Sequence, residues 1–530
     1  MSLRLRVGVS GHRHFDDEQD ITARVAAALD LVVNLTAVLA SSAVTPVVLT
    51  VVSSLAEGAD RIVARDLLGR AAGRLEAVLP LSQAEYEKDF RDNASLTEFR
   101  LLLRQASTRT LTPAQGTRDG AYLEAGLRML DRVDLLIAIW DGQPGRGVGG
   151  TAEIVAEARG RGLPLLWIPT TPGAALVQEV AGLRRSLTSQ DLQPLSDDAL
   201  RELDRYNAGC PSPSTSGVVD IQDIRAAPPA GLLDPLFTPV AAWIQPYYTR
   251  ADDTARRFQR HYGHLETPLF GLAAGAVVVV AAQIAFRREH PEYAVVELLF
   301  IALAFVNLRI LRGVHLRERW VTARYLAEWL RTAFFLGMVG VPSRAGLGEG
   351  GGPVDIQAEW LRRAFAEIWL ERPNVAPVEG NVEALRSILA RRWIEDQRHY
   401  FANAATRQRR RFKAVSRVTE VLFMVSFLVA ILHTTGVGSA NQEAWWVLLS
   451  ISLPVVAAAL HAMSDQREYR RHADRYGRTA MRLETLRPRM EAAATLDEVR
   501  ATALETERLL REEASDWFGV VRLREAELPF

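Results

Sequence analysis

The apolar and polar positions of this chain change rhythm near residue 265. Before that point, short apolar runs alternate with amphipathic stretches; beyond it, four stretches are apolar for nineteen or twenty residues each. Thr267–Phe286 and Ala444–Met463 hold no Asp, Glu, Lys or Arg. Twenty helical residues at a rise of 1.5 Å span about 30 Å, the hydrocarbon thickness of a bilayer. Two weaker spans accompany them. Tyr293–Leu311 carries Glu297 and Arg309 near its ends, and Val415–His433 carries Arg417 and Glu420 on its first turns. A buried core helix competes for both, but each pairs with a strong span, and a chain that crosses must return. Trp445 and Trp446 stand where an interfacial aromatic pair belongs.

The spans form two hairpins, closed by Arg287–Glu292 and Thr434–Glu443. Arginines crowd the outer flanks: Arg256, Arg257 and Arg260, then Arg312, Arg317 and Arg319, around the first hairpin. Arg407 to Lys413 precede the second, and Arg467, Arg470, Arg471 and Arg475 follow it. The excess of basic residues puts both termini on the cytoplasmic side, with Arg287 and Arg288 discordant. The hairpins read as a repeat, each approached by a basic amphipathic stretch (Ala255–His264; Ala405–Val415) and left by an arginine-rich helix. In the first of these helices Arg324 and Glu328 share a face at i,i+4, which suits either a solvated surface or subunit packing. Polar residues within the spans are few: Gln283, Glu297, Asn307 and Glu420, with a kink at Pro454. The paired mid-membrane acids of proton and cation transporters are absent from these stretches; an oligomeric pore or a plain anchor remains. Met1–Arg6 runs straight into a strand rather than a cleavable signal.

The front of the chain alternates strand and helix. Leu3–Val9, Pro46–Val52, Leu75–Leu79, Val133–Trp140 and Leu163–Ile168 read as continuous buried strands, with helices near Glu18–Leu39, Gly120–Leu130 and Ala152–Gly160. Runs covered on both faces predict a doubly wound parallel sheet, a Rossmann-like α/β domain. An all-α region of four spans with long cytoplasmic helices follows it. Residues 334–400 read as a cytoplasmic insert with a flexible break at Gly346–Pro353, and the Pro/Ser-rich segment Cys210–Ser216 as part of a linker.

At 530 residues, a guide of about 150 residues per domain predicts three or so units. Basic and acidic residues balance at 63 each, so nothing global attracts a polyanion, and the front end lacks a basic stripe interleaved with aromatics; nucleic acid is an unlikely partner. Cys210 is the single cysteine, which excludes an intrachain disulfide and a cysteine-based zinc site. No metal is expected.

Doubly wound sheets bind ligands at the carboxyl ends of their strands, and three of those ends suit phosphate. Gly11, His12 and Arg13 follow the first strand. Ser53, Ser54, Gly58 and Asp60 follow the second. Asp141 ends the fourth, and a glycine-rich loop from Gly145 through Gly149 and Gly150 to Thr151 opens the next helix, with Glu153 in its first turn. Glycines let backbone N–H groups approach an anion, and the helix N-terminus adds partial positive charge. Arg13 offers a bidentate fork; Asp60 and Asp141 suit ribose hydroxyls; Tyr122 stacks on a base or packs in the core. His12 reads as a general base, a phosphate donor or a satisfied loop histidine. Neither a Walker loop nor the Rossmann glycine fingerprint is present.

Together, the strand with Gly11-His12-Arg13, the string Ser54-Leu-Ala-Glu-Gly-Ala-Asp60, and Gly149-Gly150-Thr151 with Glu153 resemble the SLOG superfamily. That group includes the LOG phosphoribohydrolases, the DNA-processing DprA proteins and nucleotide-sensing domains of some channels. The resemblance covers about residues 1–175. The hairpins, with Trp-x-x-x-Arg-x-x-x-Glu at Trp320, Arg324 and Glu328, resemble SLATT domains, two-span modules viewed as pore-forming effectors of bacterial defence, over about 250–335 and 395–490. The LOG pattern places its catalytic glutamate three residues after the threonine. Here Glu153 is two after Thr151, rotated by about 100° on the helix, so it fits a stabiliser of the first helical turn better.

These expectations divide the chain into a nucleotide-binding domain (1–175), a linker or extension (176–250), a first hairpin (251–335), a cytoplasmic helical insert (336–395) and a second hairpin with C-terminal helices (396–530). The resemblance implies a homo-oligomeric sensor in the bacterial inner membrane, with both termini cytoplasmic, in which a nucleotide-derived ligand controls a pore-forming or membrane-disrupting effector. No other cofactor is expected. The alternative is a membrane-tethered nucleotide hydrolase or N-glycosidase acting through Glu153 and His12.

Overall fold

A computed structural model describes the chain except residues 40–43, 71–72, 91, 112–116, 145–148, 193–194, 210–233, 287–290, 314–315, 342–355, 374, 376, 437–439 and 523–530. Gly145–Val148, Cys210–Ser216, Arg287, Arg288 and the Gly346–Pro353 break therefore lie outside the described residues. The remainder forms two compact units: Met1–Ala208 with Gly351–Glu371, and Gly209–Gly350 with Arg372–Phe530.

The first unit is an α/β fold. Strands β1 (Leu3–Gly11), β2 (Val47–Ser53), β3 (Arg74–Leu79), β4 (Thr108–Leu111), β5 (Leu135–Trp140), β6 (Leu165–Pro169), β7 (Val177–Val180) and β8 (Leu183–Arg184) form one sheet in the order 4-3-2-1-5-6-7-8. The first six are parallel, and β7 and β8 add antiparallel edges. The strand order reverses between β1 and β5, the switch point of a doubly wound sheet. The expected strands are all present. The short β4 and the edge pair were not foreseen, because their few apolar residues carry no buried run.

Helices α1 (Glu18–Leu39), α2 (Ala59–Gly69) and α4 (Asn93–Gln105) cover one face of the sheet, with the single turn α3 (Gln83–Tyr86) between them. The other face takes α5 (Arg118–Leu130) and α6 (Thr151–Gly160). On β1, Leu3, Leu5, Val7 and Val9 point into the first layer, while Arg4, Arg6 and Gly8 point into the second. The first strand is thus alternating rather than continuously apolar. A Cβ at Gly8 would lie 2.3 Å from Met129 Sδ on α5, so a larger residue there would displace the Met129 side chain.

Arg4 and Arg6 are 2% and 4% exposed, and their partner comes from far along the chain. α7 (Asp197–Ala208) packs beside a helix from residues 356–370, through Tyr206 and Trp360 and through Ser196 Oγ donating to Glu359 at 2.9 Å. On that later helix Glu367 accepts from Arg4 at 2.9 Å and from Arg6 at 3.0 Å. Arg363 reaches Asp134 at 3.1 Å, and Asp134 also accepts the Arg6 N–H at 2.8 Å. Glu76 of β3 stands 3.6 Å from Arg6. Buried charges persist only when paired and hydrogen-bonded; this cluster balances them. The segment expected to be cytoplasmic insert thereby contributes a helix to the α/β unit.

The second unit is helical. α8 (Asp234–Phe286), α9 (Pro291–Gly313) and α10 (Leu316–Val339) form the first hairpin with its approach and exit; the helix just described, α11 (Ile356–Leu370), belongs to the first unit. α12 (Val382–Ile388), a π-helical segment Leu389–Glu395, α13 (Asp396–Thr434), α14 (Ala440–Gln466), α15 (Tyr469–Ala492) and α16 (Leu496–Arg522) complete it. Among the described residues, four helices are long and apolar enough to cross a membrane, at the four expected places. Large apolar side chains stand exposed along two of them, among them Leu298, Phe305, Met424 and Phe427, a belt that water does not tolerate and lipid does. α8 packs on both α9 and α14: Gly275 admits Phe300, Asn307 donates to the Leu265 carbonyl at 2.8 Å, and Phe286 meets Trp445 edge-on at 5.2 Å. The two exit helices, α10 and α15, are 24 residues each. Arg324 and Glu328 face inward: Arg324 reaches buried Asp252 at 3.2 Å and Arg331 bridges Glu328 at 2.8 Å and the Tyr248 hydroxyl at 2.7 Å.

Removing Glu367 leaves two buried arginines without their main carboxylate. Glu367→Ala should therefore destabilise the α/β unit by about 3–5 kcal/mol, seen as a lowered calorimetric transition of the detergent-purified chain. Glu371→Ala, whose partly exposed carboxylate lies 3.5 Å from Arg4, should cost under about 1 kcal/mol.

Candidate functional site

The candidate site lies at the carboxyl ends of β1, β2 and β5, where the strand order reverses. Two glycines set its geometry by being small. A Cβ on Gly11 would stand 2.4 Å from Ala59 Cβ and 2.7 Å from the Ile139 carbonyl. One on Gly58, at φ +75°, would stand 2.4 Å from the Arg13 carbonyl and 2.5 Å from that of His12. The β1 and β2 loops are therefore in backbone contact, with the Ala59 N–H donating to the His12 carbonyl at 3.1 Å.

The second loop is held from within. Asp60 Oδ2 accepts from Ser53 Oγ at 2.7 Å, Ser54 Oγ at 2.9 Å and Ser54 N–H at 3.1 Å. Burial pushes the Asp60 carboxyl up while those donors oppose the shift. The loop holds Leu55 at φ +59°, a left-handed conformation that costs a residue with a bulky side chain. Arg61 locks it by donating to the Leu55 carbonyl at 3.2 Å, with its guanidinium 4.7 Å from the centre of the Phe90 ring and 3.0 Å from Glu98. Sequence reasoning passed over Arg61. Its place in the first turn of α2, beside Asp60, was the available signal.

His12 and Asp141 meet across the switch point. The Asp141 N–H donates to His12 Nε2 at 3.3 Å, and Asp141 Oδ1 lies 3.4 Å from the same nitrogen. A neutral ring accepts the amide; a protonated ring donates to the carboxylate. The Gln143 N–H, at 2.9 Å, is the main influence holding the Asp141 carboxyl below its usual range, assisted by His12. Both side chains are about one-third exposed, so this pair faces solvent and a ligand can reach it. Arg13 is exposed with its guanidinium 5.7 Å from the centre of the Tyr122 ring, and that ring packs against buried Tyr86.

At the start of α6, Gly149 takes φ +82° and donates its N–H to Glu153 Oε2 at 2.8 Å. Gly150 is the N-cap, and Thr151 the first helical residue. Glu153 thus holds the first turn of its own helix. The predicted residues fall into two groups. His12, Arg13, Ser54, Asp141, Gly150 and Thr151 are at least partly accessible, whereas Gly11, Ser53, Gly58, Asp60, Gly149 and Glu153 are used in shaping the loops. Among the described residues, no three His, Cys, Asp or Glu side chains gather as metal ligands.

This division has separable consequences. Hydrogen bonds to a charged group are worth about 1.5–3 kcal/mol, so Asp60→Ala should destabilise the α/β unit by at least about that amount. His12→Ala should change stability by no more than about 0.5 kcal/mol. Chemical denaturation of the purified chain, followed by far-ultraviolet circular dichroism, distinguishes the two.

Residues 389–517 match the family model described as SMODS and SLOG-associating 2TM effector domain 1, or SLATT_1. The matched stretch takes in the third and fourth spans, α15 and most of α16. Among curated proteins, none matches the chain significantly. The chain is a membrane protein, and its residues 389–517 are similar to the two-span effector domain described by that family model.

Proposed function

We propose that the chain is a ligand-controlled membrane effector of bacterial defence, in which the α/β unit senses a nucleotide-derived molecule and the hairpins disrupt the inner membrane. The reading rests on one observation above all: the helix held by Arg4 and Arg6 of β1 lies, in sequence, between the two hairpins. The chain leaves the α/β unit for the first hairpin, returns to it as α11, and leaves again for the second. β1 carries the clamp at one end and His12 just past the other, about 26 Å away at 3.3 Å per residue. A ligand that favours one arrangement of the β1 loop therefore acts on the strand that grips the connection between the hairpins, provided its affinity differs between two states.

The nucleotide class follows from the accessible group. Arg13 supplies a fork for phosphate, Tyr122 an aromatic face, Asp141 an acceptor for ribose hydroxyls, and the N-terminus of α6 the backbone N–H groups of Gly150 and Thr151. The likeness of the first 175 residues to SLOG domains supports the same class. The first hairpin, whose sequence reads as a repeat of the matched second one, is taken as a further SLATT-like module. Both termini are read as cytoplasmic, and self-association through the exit helices as the route to a pore.

Mass spectrometry of small molecules retained by the detergent-purified chain tests the sensor. A nucleotide derivative held by the wild type and lost from Arg13→Ala and Gly150→Asp supports it. Added to cells or proteoliposomes with the wild type, that compound should collapse the membrane potential and leave the variants polarised. An unchanged potential with the compound bound rejects control of the effector.

A further inference from the structure

The second unit encloses a cavity of about 570 Å³ at the basic ends of the four spans. Every span contributes to its wall at that end. Glu266 precedes the first, Arg317 follows the second, Arg411 precedes the third and Arg467 follows the fourth. Seven arginines line it against four glutamates. Several of these charges satisfy one another: Glu328 takes Arg324 and Arg331, and Glu266 takes Arg467 at 3.3 Å. The surplus is positive.

Arg407 and Arg411 stand one turn apart, exposed on the cavity wall, and among the described residues no carboxylate lies within ion-pair distance of either. Among the described lining residues, the buried donors Gln466 Nε2 and Trp393 Nε1 lack an acceptor, and the buried Gln408 Oε1 lacks a donor. Trp393 is 1% exposed and lies flat on Phe335, ring centres 5.0 Å apart, on the π-helical segment. Buried donors without partners are costly and mark places where an acceptor belongs. Unpaired guanidinium groups and orphaned donors around one space call for an anion with several oxygens, and the guanidinium fork matches phosphate.

We propose that this cavity binds a phosphate-bearing anion, which joins the two hairpins by contacts to the basic ends of the spans. The site is separate from the loops of the α/β unit and does not depend on their reading as a sensor. Because the cavity lies level with the span ends, the phosphate comes either from a lipid headgroup of the adjacent leaflet or from a soluble phosphate compound. The chemistry is shared.

The full chain in neutral detergent, followed by the fluorescence of its tryptophans, tests this, since Trp320, Trp329 and Trp393 line the cavity. One arm titrates phosphatidylglycerol against phosphatidylcholine in mixed micelles; the other titrates ATP and inorganic phosphate. Saturation by phosphatidylglycerol but not phosphatidylcholine identifies a lipid source, and saturation by ATP or phosphate a soluble one. In either case the double variant Arg407→Gln/Arg411→Gln should raise the dissociation constant by about tenfold or more, with an unchanged unfolding temperature. Arg13→Ala, in the other unit, should leave the response intact. No saturable response in either arm overturns the proposal, as does a response equal in wild type and double variant.

Discussion

The α/β unit depends on charge neutralised out of water. Arg4 and Arg6 lie on a central strand, and their charges are kept out of water there by the carboxylates of Glu76 and Glu367, with Asp134 accepting the Arg6 backbone N–H. Arg132, largely buried nearby, has its guanidinium pKa pulled down by that burial. Desolvating these groups costs several kcal/mol each, recovered only by close geometry on all sides. Such a cluster is poor at adding stability over an apolar core and good at rejecting wrong partners. Here the partner it selects is a helix that arrives after the first membrane hairpin, some 360 residues along the chain from Arg4.

That selection gives the connectivity its meaning. Were α11 part of a helical insert alone, the α/β unit and the hairpins would be joined by the 208–234 connection only. With α11 held on β1, the first hairpin is joined along the chain to the α/β unit at both of its ends and the second at its start. The candidate site at the opposite end of β1 is built on the same economy of space. Gly11 and Gly58 bring two loops into backbone contact, and Asp60 and Arg61 hold Leu55 in a conformation it would not choose. Strain of this kind persists where surrounding contacts overdetermine it.

The candidate site was partly legible in advance. Residue types named the right loops, and Glu153 at two residues past Thr151 already pointed to a helix-stabilising role. What spacing could not separate was accessible from structural. Asp60 reads as a ribose ligand by position, yet its Oδ2 is occupied by two serines; Asp141 reads the same way, and remains open beside His12. Hydrogen-bond partners decide between them: those of Asp60 lie within its own loop, and that of Asp141 arrives from the loop after β1. Arg324 and Glu328 were similarly ambiguous until Asp252 was seen to pair with the first and Arg331 with the second.

Sequence by itself determined the four long apolar spans and the doubly wound character of the front end. Each is written in local hydrophobic rhythm, and the burial of a contiguous segment needs no knowledge of what covers it. Only tertiary structure decided that Arg4 and Arg6 are interior, that α11 leaves its neighbours in sequence to join β1, and that the basic ends of the spans enclose a common cavity. Charge reads as surface along a chain because a lone charge belongs in water. Its burial becomes favourable only when a counter-charge, remote in sequence, arrives at hydrogen-bond distance.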